Sequence, residues 1–319
     1  MVKQSFTCTG ESKILHVYVN SVKIQSMVYW VNYKSKKVVK MLYEKFEKHW
    51  KIWLWIPIIL LILSVWVISN NIVAKGSFME RDIELTGGKS ITFEVASVDV
   101  DVIKSQLPYA KVHVTSGVGK NLIIEMSVDK DEGEIIDIIS RHASVIGSPT
   151  VRTVGPSIGN IFFQQTQIAL VIAFILMAIT VFILFRSIVP SLIVILAATA
   201  DIVITIAVLS ILGVALSLAV IAALLMVIGY SVDTNMVLTS ELLKGRGSVS
   251  AGIKRAMKTG LTMTSTIFVA LVAMYFLSGS LIIEQIALVL IIATLLDVPT
   301  TWMTNAGVLR YWLKKRGRT

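Results

Sequence analysis

Two aspartates inside long apolar stretches are the residues of this sequence best suited to chemistry. Asp201 lies in the stretch ILAATADIVITI, and Asp233 lies in the next one, directly after the segment GYSV at 229–232. A carboxylate within a membrane span costs at least ~2.5 kcal/mol, and acids at that depth commonly carry protons or pair across a helix interface. We therefore predict Asp201 and Asp233 as intramembrane functional acids.

Two further acids are secondary candidates. Asp297 lies beside Pro299 in the last apolar stretch, and Glu241 lies at the end of the stretch that contains Asp233. Glu284 is expected only at the membrane surface. No Lys or Arg lies inside a predicted span, so the acids have no basic partner there and neutral carboxylic acids are expected. A simpler interpretation stays open, in which a protonated aspartate only joins two helices by hydrogen bonds.

An intramembrane aspartyl protease is the enzymatic alternative, because two carboxylates that share a proton are its catalytic device. Such proteases resemble one another in a Gly-x-Gly-Asp signature, whereas Asp233 is preceded by GYSV and lacks the second glycine. The sequence has one cysteine, Cys8, and four scattered histidines without metal-ligand spacing. It shows no nucleophile–base pair or phosphate-binding loop. Neither an enzyme nor a cofactor or metal site is predicted.

Composition gives the class of protein that holds these acids. Of the 319 residues, 55% are apolar and only 16% are charged, and the mean hydropathy is +0.77. Soluble domains are rarely so apolar, so an integral membrane protein with one modest soluble domain is predicted. The formal net charge is +10. The basic residues lie beside apolar stretches and not on an aromatic-rich surface, which favours membrane lipid over nucleic acid as their partner.

Six apolar stretches are predicted to cross the membrane, and the basic residues set their direction. Lys and Arg are concentrated in residues 1–51, in a predicted loop over 241–260 and in a tail over 304–319. Basic loops remain in the cytoplasm, which places both termini there and makes the protein a multi-pass protein of the cell membrane. The first span is 52–69, and the bundle over 161–303 contains five more, namely Ile161–Phe185, Ile188–Leu212, Val214–Thr239, Leu261–Leu277 and Leu281–Met303.

The basic N-terminal segment, residues 1–51, contains no apolar core of seven or more residues near its start. A signal peptide is therefore not predicted. The first span is also long, and no small-x-small site follows it promptly, which disfavours a cleaved signal there. Translation that begins at Met41, with residues 1–40 as an annotation extension, stays open as an alternative.

Residues 76–160 have the composition of a small soluble domain on the outer side of the membrane. Their periodicity predicts strand 90–96, helix 98–107, strands 111–115 and 121–128, helix 132–142 and strand 150–154. This βαββαβ order is the ferredoxin-like split pattern. The glycines of Thr86-Gly87-Gly88 are expected in a tight turn.

Four short motifs together resemble one family. They are LTGG at 85–88 after the first span, VGPSIG at 154–159 before the second, Asp201 in the third, and IGYSV at 228–232 in the fourth. One span, an external βαββαβ domain and five further spans form the half-unit of the RND superfamily. Within it the sequence resembles the SecF family, the smaller subunit of the SecDF accessory complex of Sec protein export. The motif and packing residues are Gly87, Gly88, Gly155, Pro156, Gly159, Gly229, Tyr230 and Ser231.

The resemblance implies partners and a mechanism. It implies a SecD-like six-helix subunit around a pseudo-twofold axis, docking on a SecYE-type channel, contact of the external domain with unfolded preprotein, and a proton path through the bundle that includes Asp201. Bacterial members typically have Asn-Asp-Thr after GYSV and an Asp-Arg pair further on. Here Asp233-Thr234-Asn235 and Ser240-Glu241 stand there. Glu241 therefore occupies the arginine position, which indicates an archaeal-type member and leaves proton coupling as a hypothesis.

Two other functions remain open from the sequence. One is a proton-coupled small-molecule exporter of the RND superfamily, although such exporters generally carry both six-helix halves and large external domains in one chain. The other is a purely structural scaffold, which would tolerate replacement of Asp201 and Asp233 by Asn. The main hypothesis is a non-enzymatic membrane subunit that assists preprotein export.

Overall fold

A computed structural model describes residues 53–107, 109–117, 119–127, 129, 132–244, 247–278 and 280–317. The predicted basic segment 1–51 lies outside these residues. In chain order the elements are α1 (Trp55–Lys75), α2 (Ile83–Thr86), β1 (Gly88–Val98), α3 (Val100–Gln106), β2 (Lys111–Gly117), β3 (Gly119–Met126), α4 (Glu132–His142), β4 (Ala143–Val154), α5 (Pro156–Phe185), α6 (Ile188–Ile211), α7 (Leu218–Lys244), α8 (Val249–Leu277), α9 (Leu281–Pro299), a π-helix (Thr300–Asn305) and α10 (Ala306–Lys315).

Six of the described helical segments are long and apolar enough to cross a membrane, which confirms the predicted six-span architecture. They are α1, α5, α6, α7, α8 and a last span that runs continuously from α9 through the π-helix to α10. The α5 helix begins five residues earlier than predicted, at Pro156, because proline suits the first turn of a helix, where its missing N–H has no intrahelical partner. The predicted spans mark the apolar parts of these helices and not their ends.

The predicted basic loop over 241–260 is wrong for most of its length. The α7 helix continues to Lys244, and α8 already begins at Val249 after the N-cap Ser248, whose side chain accepts a hydrogen bond from the Ala251 N–H at 3.3 Å. Hydropathy alone placed the helix ends too early, because helices that leave the bilayer remain helical with charged side chains in water. The last span likewise continues through the predicted tail to Lys315.

Residues Gly88–Val154, here called the α/β domain, form a four-stranded antiparallel sheet in the order β2-β3-β1-β4. This confirms the ferredoxin-like prediction. Side chains that alternate along the strands bury one face of the sheet against α3 and α4. The β4 strand starts at Ala143, seven residues before the predicted start, because shifts in its register with β1 carry it past Gly147. The largest fully buried side chains of this core are Ile91, Phe93, Ile103, Leu107, Leu122, Ile124, Ile135 and Ile139.

Two chain segments connect the α/β domain to the bundle, Gly87-Gly88 on entry and Val154-Gly155 on exit. We call these two segments the neck. The predicted tight turn at 86–88 is instead the end of the one-turn helix α2, whose C-cap Gly87 has φ 81°. The segment before α2 is bound to the turn between α6 and α7 by two backbone hydrogen bonds. Asp82 N–H donates to the Leu216 carbonyl at 3.0 Å, and Leu216 N–H donates to the Glu80 carbonyl at 2.7 Å.

Candidate functional site

Asp201 of α6 lies at the centre of the bundle and is completely buried. Two hydroxyl groups from other spans donate hydrogen bonds to its carboxyl group. Ser231 of α7 donates to Oδ2 at 2.5 Å, and Thr300 of the π-helix donates to Oδ1 at 2.5 Å. Its polar contacts therefore join three spans, and a buried carboxyl group needs such donors to offset the loss of water.

Asp297 of α9 is the second buried acid, with 1% of its surface exposed. The Thr301 hydroxyl donates to its Oδ1 at 2.8 Å. Its Oδ2 accepts no hydrogen bond from an N–H or O–H group of the described residues, and its carboxyl group contacts that of Asp201. Two carboxyl groups in contact form a hydrogen bond only when one of them holds a proton.

Asn235 connects the two acids through their hydroxyl donors. Its Nδ2 donates to the Ser231 carbonyl at 2.8 Å and lies 3.4 Å from the Ser231 hydroxyl. Its Oδ1 accepts from the Asn305 side-chain amide and lies 3.2 Å from the Thr301 hydroxyl oxygen, whose proton is donated to Asp297. We name the residues Asp201, Ser231, Asn235, Asp297, Thr300, Thr301 and Asn305 the two-aspartate cluster.

Local helix geometry brings the side chains of the two-aspartate cluster together. Ser231 and Asn235 are four residues apart, so they lie on the same face of α7. Asp297, Thr301 and Asn305 repeat the same spacing along the last span. The π-helix, which contributes Thr300 and Thr301, follows directly after Pro299. Single π turns commonly occur at functional sites, and here the wider turn places two adjacent threonines against the two acids.

Neither acid of the cluster has an ion-pair partner among the described residues. Hydroxyl and amide groups surround both carboxyl groups instead. This arrangement can hold a proton and exchange it between two carboxyl groups through a short chain of hydroxyls. Both acids are buried, with 0% of the surface of Asp201 and 1% of that of Asp297 exposed.

Asp233 does not belong to the two-aspartate cluster, so the expected contact between Asp201 and Asp233 is not observed. Its side chain is exposed on the surface of α7. The physical reason is helix geometry, because two residues turn an α-helix by about 200°, so Asp233 points away from the face of Ser231. Asp297 occupies the place that the sequence assigned to Asp233.

The motif residues of α7 divide between the inside and the surface of the bundle. Ser231 binds Asp201, and the Tyr230 hydroxyl donates to Thr264 of α8 at 3.1 Å. Gly229 is exposed, and a Cβ built on it would meet nothing within 4 Å. The predicted close packing at Gly229 is therefore absent within the described part of the chain.

Glu241 lies away from the cluster, near the end of α7. The Arg255 Nε of α8 donates to its Oε1 at 2.6 Å, and both side chains are partly exposed. An ion pair of this kind contributes ~0.2–1 kcal/mol.

The other hydroxyls of the threonine-rich segment of α8, Thr262, Ser265 and Thr266, donate to carbonyls of their own helix.

The glycine motifs meet at the neck. A Cβ on Gly159 of α5 would lie 2.7 Å from the Gly87 nitrogen, and one on Gly87 would lie 2.5 Å from the Pro156 Cα. Gly88 is similarly close to the Met126 carbonyl, at 2.8 Å, whereas Gly155 has open space around its Cβ position. The two motifs thus form one contact between α2 and α5.

The residues that sequence reasoning missed are Asn235, Thr300, Thr301 and Asn305. Asn235 and Asn305 carried a usable signal, because an amide side chain inside an apolar span requires partners just as a carboxylate does. Thr300 and Thr301 carried none, because a threonine can satisfy its hydroxyl with the backbone of its own helix.

The fold and the cluster define a class of protein, a multi-pass membrane protein of six spans with a ferredoxin-like domain between its first and second spans. The sequence comparisons then identify the family. The model of the protein export membrane protein SecD/SecF C-terminal family matches residues 136–315. The protein-export membrane protein SecF of Pyrococcus furiosus is 39% identical over 88% of this chain and 96% of its own length. The chain belongs to the SecF family of protein-export membrane proteins.

A further relative agrees with this assignment, and a solved structure has a similar fold. SecF of Methanolacinia petrolearia is 37% identical over 82% of this chain and 94% of its own length. The crystal structure of SecDF, a translocon-associated membrane protein from Thermus thermophilus, superimposes with a TM-score of 0.67 at 20% identity, over 84% of this chain. This chain spans only 38% of that one. The relatives carry protein-export names, which favours the main hypothesis over a small-molecule exporter.

Proposed function

We propose that the chain is a non-enzymatic membrane subunit that assists preprotein export together with a SecD-like partner, and that the two-aspartate cluster exchanges protons during that work. The buried contact between Asp201 and Asp297 carries the proposal. It combines two acids, no basic partner among the described residues, and hydroxyl donors from two spans, α7 and the last span. Because the SecF relatives are named protein-export membrane proteins, we assign the proton exchange to protein export.

The orientation follows from the charges at the two ends of the bundle. In the described residues, basic side chains mark the end opposite the α/β domain, with Arg186 between α5 and α6 and Lys254 and Arg255 early in α8. Basic residues that flank spans remain in the cytoplasm. We therefore place this end and both termini in the cytoplasm, and the α/β domain on the outer side, where it contacts unfolded preprotein. Docking on a SecYE-type channel belongs to the same proposal.

The surface of α7 supports a SecD-like partner. Ala222, Met226, Gly229 and Asp233 form an exposed stripe along one side of this helix. An exposed carboxylate at membrane depth costs at least ~2.5 kcal/mol in lipid, so the stripe requires a polar or protein neighbour. The two small residues allow a helix to approach closely. This chain covers only 38% of the longer SecDF chain of known structure.

The proposal is tested by single replacements of the two acids. Asp201→Asn and Asp297→Asn keep the shape of each side chain and remove the titratable group. We expect both variants to lose the dependence of preprotein export on the proton gradient in vesicles that contain the partner subunit. Thr266→Val is the matched control, because Thr266 is exposed on α8 and bonds only its own helix. Unchanged proton-dependent export in both aspartate variants would refute the proposal.

A further inference from the structure

The neck is the only covalent connection between the α/β domain and the bundle, so the contacts beside the neck bear on the position of the domain. The two chain segments of the neck, Gly87-Gly88 and Val154-Gly155, connect the domain to the spans. Beside them, the sheet face that does not pack on α3 and α4 lies over the bundle. In the strand register, Lys111, Glu125, Ser90 and Arg152 are paired in one row across that face.

A carboxyl–carboxyl contact joins this sheet face to the bundle. Glu125 of β3 lies beside Asp82, which precedes α2, and the two residues together line both of the cavities between the sheet and the bundle. Asp82 is part of the bundle side of the neck, because its N–H donates to Leu216 and its Oδ1 accepts from the Ile83 N–H at 2.6 Å. Glu84 is also bound there, since its Oε2 accepts from the Leu218 N–H at 3.0 Å at the start of α7.

Two cavities flank the contact, with volumes of about 290 and 360 Å³. Asp82, Glu125, Ile123, Leu281 and Gln285 line both of them. The sheet and the spans are therefore not closely packed on either side of the two carboxyl groups. If Glu125 moved away from Asp82, the two cavities would become one. No packed core would have to open for this movement.

The charges around Glu125 come from several elements. Lys111 is its cross-strand neighbour on β2 and donates to Glu80 at 3.3 Å. Glu84 adds a further negative charge from α2. More distant groups line the cavities, with Glu284 of α9 and Tyr275 of α8 in the smaller one and Arg152 of β4 in the larger one. Acids thus dominate the immediate surroundings, so a second negative charge on the Glu125–Asp82 pair is unfavourable.

We propose that the Glu125–Asp82 contact is a proton-dependent latch, which holds the α/β domain against the bundle when the pair carries a proton and releases the domain when the proton leaves. The contact requires that proton, because two ionised carboxylates repel each other. No step of the latch uses Asp201 or Asp297.

The direction of the pH dependence follows from Glu125. Burial, and then the negative charge of Asp82, raise its pKa to about 8 from the ordinary 4.5. In the released state the side chain is in water, where the ordinary pKa applies. The latched state therefore binds the proton more tightly and is fully favoured below about pH 4.5. Its advantage falls as the pH rises, by up to about tenfold per unit, and is lost as the pH passes about 8.

The test measures the distance between the domain and the bundle in the full chain. Spin labels are placed at Lys104→Cys on α3 and Val73→Cys on α1, both exposed, in a Cys8→Ser background reconstituted in lipid nanodiscs. We expect one narrow distance distribution at about pH 5.5 and a broader, shifted one at about pH 9. Glu125→Gln cannot ionise and should give the narrow distribution at both pH values. A distribution that does not change with pH in the unsubstituted pair would overturn the proposal.

Two further variants separate the latch from a general effect on folding. Asp82→Asn keeps an amide oxygen for the α2 cap and removes the second acid, so it should weaken the pH dependence, while the burial of Glu125 retains part of it. Glu94→Gln changes an exposed acid of β1 that lines neither cavity, and it should retain the pH dependence. Full pH dependence in Glu125→Gln, or an undiminished pH dependence in Asp82→Asn, would refute the latch. The distances are measured without export, so they stand independently of the Asp201→Asn result.

Discussion

Gly87 and Gly159 meet backbone to backbone at the neck, where a Cβ on Gly159 would lie 2.7 Å from the Gly87 nitrogen. The contact joins the LTGG and VGPSIG motifs, which are about 70 residues apart in the sequence. It explains physically why both motifs contain glycine, because a side chain at either position would separate α2 from α5.

Replacement of either glycine should therefore destabilise the chain. We expect Gly159→Ala to lower the free energy of unfolding by about 1–3 kcal/mol, because the methyl group meets backbone atoms that cannot rotate away. Gly87→Ala adds the cost of φ 81° to the same clash. Thermal unfolding in detergent measures both effects. Gly155→Ala is the control, since its Cβ position is open, and equal losses in all three variants would contradict this explanation.

Removal of the Thr300 hydroxyl should weaken the packing of the last span on α6. Thr300→Val keeps the shape of the side chain but leaves Oδ1 of Asp201 without its donor. A buried acceptor that loses its partner costs about 1–3 kcal/mol, which a chemical unfolding curve can resolve. Thr262→Val serves as a comparison, because its hydroxyl bonds only the Lys258 carbonyl of the same helix. If Thr262→Val lowered the free energy of unfolding as much as Thr300→Val, the hydrogen bond to Asp201 would not explain the loss.

A bulky residue on the exposed stripe of α7 should block assembly and leave the isolated chain intact. Gly229→Leu places its side chain in open space, so its unfolding temperature should match that of the unsubstituted chain. We expect co-purification with the SecD-like subunit to fall at least tenfold. Leu196→Trp, on an exposed position of α6, is the control for size and should assemble normally. Normal assembly of Gly229→Leu would show that the partner binds elsewhere.

Loss of the Glu241 charge should have little effect on stability. Glu241→Gln breaks an exposed ion pair with Arg255 and is expected to change the free energy of unfolding by less than about 1 kcal/mol. The variant should also retain proton-dependent export, because Glu241 lies outside the two-aspartate cluster. Loss of proton dependence with normal stability would instead show that Glu241 takes part in the proton exchange.

Local patterns in the sequence predicted the elements of the fold well. Spans and strands follow from hydropathy and alternation, which are properties of neighbouring residues, so the six spans and the βαββαβ order could be predicted. Asp201 could also be found, because a single charged residue in an apolar span is conspicuous. The ends of α7 and α8 could not, because their charged extensions resemble a loop in hydropathy.

The partner of Asp201 could not be predicted from the sequence. Asp233 is closer in sequence and belongs to the recognisable GYSV motif, whereas Asp297 is about 100 residues away. The choice between them depends on the rotation of α7 about its axis and on the π-helix of the last span. Both are set by packing between helices, and neither leaves a periodic signal within one helix.

The π-helix after Pro299 also determines which side of α10 faces the bundle. A π turn contains one residue more than the α-helical pattern needs. One residue corresponds to about 100° of rotation about the helix axis. The side chains of α10 are therefore turned by about that angle from the positions that an uninterrupted helix would give them, and Leu309 and Leu313 are buried in that orientation.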